Sequence, residues 1–173
     1  MLASNRYALK EWDTVCDRLG RGEDVLILRK GGILERRQGF RVEHREFFLF
    51  PTRFHGHGEA PPPSVDLRLY AKVEEDLEVT DLQDLHRLDG WHAVPREDLE
   101  RRFHYGDRPG VHALVLRAWR LVEPVTLADA GAYLGCRSWV ELGEELAVLA
   151  GAPAVGDREF EEKRRAIRNA LQG

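Results

Sequence analysis

The chain has 173 residues, a length typical of one domain or one domain with a small appendage, and 43% of them are hydrophobic, which is enough to form a core. No apolar run approaches bilayer length and no signal-peptide pattern opens the chain, so the sequence predicts a cytoplasmic protein that does not enter a membrane. The net charge of −4 gives no overall support for nucleic-acid binding, and the two cysteines, Cys16 and Cys136, are typical of reduced thiols.

The N-terminal region combines a helical pattern with a short strand. Apolar residues from Tyr7 to Leu19 recur near helical spacing, and Gly20 and Gly22 are expected to end that helix. Residues 25–28 are β-branched or leucine, which predicts a strand.

Two longer strands are predicted next. Residues 40–50 begin with alternation and end in Phe-Phe-Leu-Phe, which is typical of a strand buried on both faces. A loop with three consecutive prolines follows within residues 55–64. Apolar and polar residues then alternate over residues 65–72, which predicts a half-buried strand that continues towards Val79.

The middle of the chain predicts two short helices and another strand. Thr80 or Asp81 is available to cap a helix that extends to Leu88, and Pro95 is a good first-turn residue for a helix that ends near His104. Residues 111–125 have the composition of a strand.

The last third of the chain is expected to be helical. The pattern predicts helices over residues 126–134, 139–149 and 158–171. The last of these has a dense charged face opposite a few apolar residues, so it could pair with a partner protein or with a second copy of the chain. A homo-oligomer is therefore one hypothesis.

A basic segment, residues 29–57, is the main candidate for a binding surface. Basic residues dominate it, whereas residues 74–100 are mostly acidic. The turn after Arg29 and Lys30 contains two glycines, which let backbone amides approach an anion. We expect arginines of this segment to hold phosphate groups of RNA, DNA or a nucleotide, with Trp91 stacking on a base. The predicted contacts are Arg29, Lys30, Arg41, Arg45, Arg53 and Trp91.

The same segment supports an enzymatic alternative. Glu43, His44 and Glu46 could exchange protons as an acid/base site of a hydrolase or nuclease. His55 and His57 form an HxH pair that could chelate a divalent metal. The sequence identifies no cofactor beyond that metal, and whether the protein is an enzyme stays open.

Four segments carry a resemblance to a known family. Residues 8–12, 28–33, 40–52 and 135–142 together resemble a prokaryotic family known as domain of unknown function 1802. That resemblance implies no activity and no catalytic residues.

The order of predicted elements is similar, more distantly, to the ASCH branch of the PUA-like superfamily. Those domains are small β-barrels with flanking helices that usually bind RNA or modified bases in a cleft. Residues 20–29 match the opening of the ASCH pattern loosely, because Glu23 and Asp24 stand where that pattern has a lysine.

We therefore predict an α+β fold, a small PUA-like mixed β-barrel or curled sheet with flanking helices and a helical C-terminal extension. The core domain is expected to span residues 1–142, and the extension residues 143–173.

Overall fold

The computed structural model describes residues 1–30, 39–52, 62–133, 135 and 137–173. Seven strands and four α-helices lie in this part of the chain. In chain order they are β1 Ser4–Trp12, α1 Asp13–Arg21, β2 Leu26–Arg29, β3 Glu46–Thr52, β4 Ser64–Val79, α2 Leu82–Arg87, α3 Arg96–Phe103, β5 Val111–Ala128, β6 Trp139–Ala147, β7 Ala150–Pro153 and α4 Asp157–Gln172, with a 3-10 turn at Ala130–Tyr133 between β5 and β6.

The strands form one open, curled, mixed sheet in the order β2-β5-β4-β3-β1-β6, and β7 pairs with β5. Among the described strands, β1 and β3 are the one parallel pair; Ala8 lies opposite Phe48, and Trp12 lies opposite Thr52. The long strands β4 and β5 form the centre of the sheet. The predicted α+β class with a curled sheet and flanking helices is confirmed.

The buried side chains form three clusters around the sheet. One lies among β2, β5 and the helices α2, α3 and α4, and it includes Leu85, Leu99 and Ile167. A second packs α1 against the sheet, and the third lies among β1, β3, β4 and β6. Helix α4 belongs to the first cluster because Phe160 and Ile167 are buried there.

Several predicted elements are confirmed. Asp81 caps α2 by accepting hydrogen bonds from the backbone N–H groups of Gln83 and Asp84. Pro95 immediately precedes α3. Of the strand predicted at residues 40–50, only residues 46–50 lie in β3, where the four apolar residues that end the prediction are buried, whereas residues 40–45 are not in a strand. The strands predicted at residues 25–28, 65–79 and 111–125 and the final helix are also present.

Three helix predictions are wrong. Residues 4–12 form strand β1, and the helix predicted from Tyr7 begins at Asp13. The helix predicted at residues 126–134 is the end of β5 followed by a 3-10 turn, and the one predicted at 139–149 is strand β6. Hydrogen bonding to neighbouring strands decided these segments, since β1 pairs with both β3 and β6. Strand β6 crosses the predicted domain boundary at residue 142, and the division itself stays a prediction.

A buried carboxylate fastens α4 to the sheet. The side chain of Glu75, on β4, is 6% exposed and accepts hydrogen bonds from Arg164 and, at 2.6 Å, from the Nε of Arg168. Burial alone would raise the pKa of Glu75, but the hydrogen bonds from Arg168 and Arg164 outweigh it, so the pKa lies below its usual value.

We expect Glu75→Gln to lower the free energy of unfolding at pH 7 by about 2 kcal/mol, because two guanidinium groups lose their shared carboxylate. Arg168 is half exposed and stays hydrated, which keeps this loss below that of a fully buried pair. Because the folded-state pKa is lowered, the carboxylate stabilises the fold above its unfolded pKa of about 4.3 and this contribution is lost as the pH falls through the folded-state pKa.

Urea unfolding at pH 7 and near pH 3 measures this effect. The control is Glu78→Gln, since Glu78 is exposed on the same strand and makes no ion pair within the described residues. An equal loss in both variants, or a difference between Glu75→Gln and the unmodified protein that does not shrink at the lower pH, would contradict the role of Glu75.

Candidate functional site

A cavity of about 760 Å³ opens where the parallel strands β1 and β3 end. Its walls come from β1, β2, β3, β4, α3, the 3-10 turn and the segment before β6, which bring together residues from position 10 to position 138. The lining includes six basic residues, three carboxylates and four aromatic rings: Lys10, Arg29, Lys30, Arg68, Arg102 and Arg137; Glu11, Asp13 and Asp66; Trp12, Phe50, Tyr105 and Tyr133.

Arg29 joins the two borders of the curled sheet at this cavity. It lies on the border strand β2, and its guanidinium donates to the carbonyl oxygen of Lys10 at 3.0 Å, to Oε2 of Glu11 at 3.1 Å and to Oγ of Ser138 at 2.8 Å. Glu11 is 3% exposed and also accepts the N–H of Trp12 at 2.8 Å. A side chain, rather than a strand ladder, therefore connects β2 to β1 and to the start of β6.

Arg102 reaches the same part of the cavity from α3. Its guanidinium lies over the Trp12 ring, 4.2 Å from the ring centroid, and donates a long hydrogen bond of 3.4 Å to the carbonyl oxygen of Leu28. Burial lowers the pKa of Arg102 and the nearby Arg29 adds to this, against the opposing effect of Glu11. The protein therefore holds two guanidinium groups close to one carboxylate.

The opposite side of the cavity has a different charge balance. Arg68, on β4, forms ion pairs with Asp13 at 3.0 Å and with Asp17 at 3.6 Å. Asp66 accepts a hydrogen bond from the Thr126 hydroxyl at 2.7 Å. The carboxylates named on this side thus outnumber the one guanidinium, Arg68.

Two further basic residues complete the lining. Lys30 follows β2, and its ammonium group donates to the carbonyl oxygens of Phe103, at 3.3 Å, and of Arg108. Burial lowers the pKa of Lys30. Arg137 is exposed and has no hydrogen-bond or ion-pair partner among the described residues, so its guanidinium is available to a ligand.

Of the predicted phosphate contacts, Arg29 and Lys30 line this cavity. Arg41 and Arg45 are exposed and do not line it; Arg45 donates to the carbonyl oxygen of Val73 at 3.4 Å. Trp91 is half-buried against the cluster that contains α2 and α3, and it does not line the cavity. Roles for these three residues stay predictions.

The predicted acid/base residues lie away from the cavity lining. Glu43 is exposed, and the His44 ring stacks on Tyr7 with a centroid separation of 3.6 Å. Burial lowers the pKa of His44. Glu46 accepts the N–H of Leu2 at 2.7 Å and the hydroxyl of Tyr70 at 3.3 Å. The hydrolase or nuclease hypothesis based on these residues stays a prediction.

Arg53, His55 and His57 lie outside the described residues, so their predicted roles in phosphate and metal binding stay predictions. Within the described ranges, no group of three or more histidine, cysteine, aspartate or glutamate side chains is placed to hold a metal ion.

Sequence reasoning missed most of the cavity. Glu11, Arg102 and the adjacent pair Arg137 and Ser138 come from three distant parts of the chain and belong to no motif with fixed spacing. The residues around Glu11 and Ser138 do belong to two of the segments that carry the family resemblance, which was the one signal that pointed to them.

A second, smaller groove of about 530 Å³ lies on α4. It is lined by charged and amide side chains that include Arg158, Glu162 and Arg165, and Arg165 has no ion-pair partner in the described part of the chain. Binding of a partner protein or a second copy at this helix stays a prediction. None of the described helices is both long and apolar enough to cross a membrane.

The fold is similar to that of solved ASCH-domain structures. Solved structures of the ASCH protein from Zymomonas mobilis match with a TM-score of 0.50 at 13% identity, covering 92% of this chain and 93% of that one. A tyrosine-to-phenylalanine variant of the same protein matches with a TM-score of 0.51 at 13% identity over 80% and 90%, and a serine-to-alanine variant with 0.50 at 14% over 80% and 88%. At this identity the similarity establishes the fold alone.

The family follows from sequence. A family model described as domain of unknown function (DUF1802) matches residues 8–61 and 56–166, and the chain belongs to that family. No curated protein matches the chain.

Proposed function

We propose that this protein binds a nucleic acid or a nucleotide in the cavity at the ends of β1 and β3. The observation that carries the proposal is the convergence of six basic side chains and four aromatic rings on one concave surface, although the whole chain has a net charge of −4. Guanidinium and ammonium groups bind phosphate oxygens, and aromatic rings stack on bases. The volume, about 760 Å³, lies within the range of small-ligand sites.

Arg29 and Lys30 are part of this proposed site, whereas the other arginines of the basic segment supply an alternative surface. Arg137 and Arg41 are suited to compare the two, because both are exposed and neither side chain has a partner among the described residues. Arg137 lines the cavity and Arg41 does not.

We expect Arg137→Glu to weaken binding of a single-stranded oligonucleotide roughly tenfold, because it places a negative charge where a phosphate binds. Arg41→Glu is expected to change the Kd less than about twofold. Fluorescence anisotropy with labelled RNA and DNA strands measures both, and the affinity of the unmodified protein should fall with added salt. Loss of binding in Arg41→Glu but not in Arg137→Glu would move the site to the basic segment. If the unmodified protein binds neither a strand nor a free nucleotide, the proposal is refuted.

A further inference from the structure

The positive charge in the cavity is concentrated at the side formed by β2 and α3. Arg29, Lys30 and Arg102 lie there with one lining carboxylate, Glu11. On the other side, Arg68 forms ion pairs with two carboxylates, those of Asp13 and Asp17. The imbalance corresponds to about two positive charges in a partly buried environment, where unpaired charge is costly.

The hydrogen bonds of these three cations leave donors unused. Nε of Arg29 is buried and has no acceptor among the described residues. Arg102 has one long hydrogen bond, to a backbone carbonyl, and no ion pair within the described ranges. Lys30 donates to backbone carbonyls and to no carboxylate in the described structure. An anion in this part of the cavity would find donors that no acceptor in the described part of the chain satisfies.

The site is also held in place before any ligand arrives. Arg102 is fixed by its contact with the Trp12 ring, and Arg29 by its bonds to Lys10, Glu11 and Ser138. Fixed guanidinium groups lose little conformational entropy on binding, which favours affinity for a small, doubly charged group.

We infer that this side of the cavity is a subsite for a terminal phosphate monoester, bound by Arg102 with Arg29 and Lys30. The inference rests on the proposed function, since the phosphate would be the end of a bound strand or the phosphate of a nucleotide. A terminal phosphate has a charge of about −1.5 to −2 at pH 7 and three free oxygens. It matches an excess of two cations better than an internal phosphodiester, which has one negative charge.

The test compares strands that differ only at their ends. Single-stranded oligonucleotides, as RNA and as DNA, are labelled at one end and have either a phosphate or a hydroxyl at the other, for both the 5′ and the 3′ end. We expect a phosphate at one of the two ends to lower the Kd roughly tenfold relative to the hydroxyl form. Arg102→Gln should remove that preference, so that the Kd values of this variant for the phosphate-ended and the hydroxyl-ended strand become equal.

Arg101→Gln is the matched control, because Arg101 is the neighbouring residue on α3 but is 69% exposed and paired with Asp98. It should keep the full preference. If Arg102→Gln does not fold, Arg102→Lys replaces it in the test. Lysine keeps the positive charge but lacks the planar pair of donors, so part of the preference for the phosphate-ended strand should remain. Thermal unfolding in the presence of inorganic phosphate measures the subsite without any strand.

The outcomes separate the two proposals. Equal Kd values for phosphate-ended and hydroxyl-ended strands would overturn the subsite and leave nucleic-acid binding intact. If no strand binds but inorganic phosphate raises the Tm of the unmodified protein and not of Arg102→Gln, the subsite stands, and its ligand is a small phosphate ester or free phosphate. If no strand binds and inorganic phosphate does not raise the Tm of the unmodified protein, both the subsite and the proposed function are overturned.

Discussion

Replacing Arg29 with methionine is expected to lower the free energy of unfolding by about 3 kcal/mol, because it leaves the carboxylate of Glu11 buried without its ion-pair partner. Glu11 is 3% exposed, and Arg29 is 15% exposed. The change also removes the hydrogen bonds from Arg29 to the Lys10 carbonyl and the Ser138 hydroxyl, which join the borders of the sheet. Methionine retains much of the apolar length of the side chain, so the loss comes mainly from the polar groups.

Arg68→Met is the control for this prediction. Arg68 also pairs with an acidic residue of the same region, Asp13, but it is 50% exposed. Exposed ion pairs contribute between zero and about 1 kcal/mol, so this variant should lose less than about 1 kcal/mol. Urea unfolding at pH 7 measures both variants. Equal losses would show that the burial of the Glu11–Arg29 pair has no energetic consequence.

A double variant isolates the buried charge. Arg29→Met combined with Glu11→Gln leaves no unpaired carboxylate, so it should be more stable than Arg29→Met alone by about 1 kcal/mol or more. If the double variant is instead less stable than the single one by the full effect of Glu11→Gln, the two side chains contribute independently, and the explanation based on an unpaired charge is wrong.

Gly22→Ala is the second substitution with a large expected effect, about 3 kcal/mol of lost stability. Gly22 ends α1 with a φ of +75°, and a Cβ at this position would lie 2.5 Å from the carbonyl oxygen of Ala154. The left-handed conformation costs an alanine about 1–2 kcal/mol, and the backbone near Ala154 must also shift. Because Lys163 of α4 donates to the Gly22 carbonyl at 2.6 Å, that shift disturbs the contact between α1 and α4.

Gly20→Ala, in the same helix, is the control for Gly22→Ala, because no loss of stability is expected for it. A Cβ on Gly20 would meet only the Leu69 side chain, at an ordinary distance of 3.5 Å, and Gly20 has no positive φ. Alanine is favoured over glycine inside a helix by about 0.5–1 kcal/mol, so this variant should be as stable as the unmodified protein or slightly more stable. Thermal unfolding of Gly20→Ala and Gly22→Ala measures both stability changes. Similar losses in the two would show that the conformation of Gly22 is not the cause.

The elements that the sequence predicted correctly have a local physical cause. Strand β4 shows apolar and polar alternation, α2 has Asp81 as its cap, and α4 has a narrow apolar face. Gly22 ends α1 because its missing Cβ permits a positive φ, which is a property of the residue itself. In these cases, residues close in sequence are enough to predict the element.

Strands β1 and β6 were predicted as helices because their stability comes from elsewhere in the chain. Leu9 and Ala8 are fully buried between two neighbouring strands, so β1 shows no clear alternation that would distinguish it from a helix. Many residues of β6 are exposed and helix-favouring, including Glu141, Glu144 and Glu145. Pairing with β1 satisfies backbone groups along one edge of β6 and overrides that preference.

By itself, the sequence determined the α+β class, most of the local elements and two members of the cavity, Arg29 and Lys30. Only the tertiary structure decided that Glu11, Arg102 and Arg137 join them, because residues from β1, α3 and the segment before β6 meet only when the sheet curls. The charge balance around Arg102 was likewise invisible in the sequence, since it depends on which carboxylates the fold brings near and which groups it removes from water.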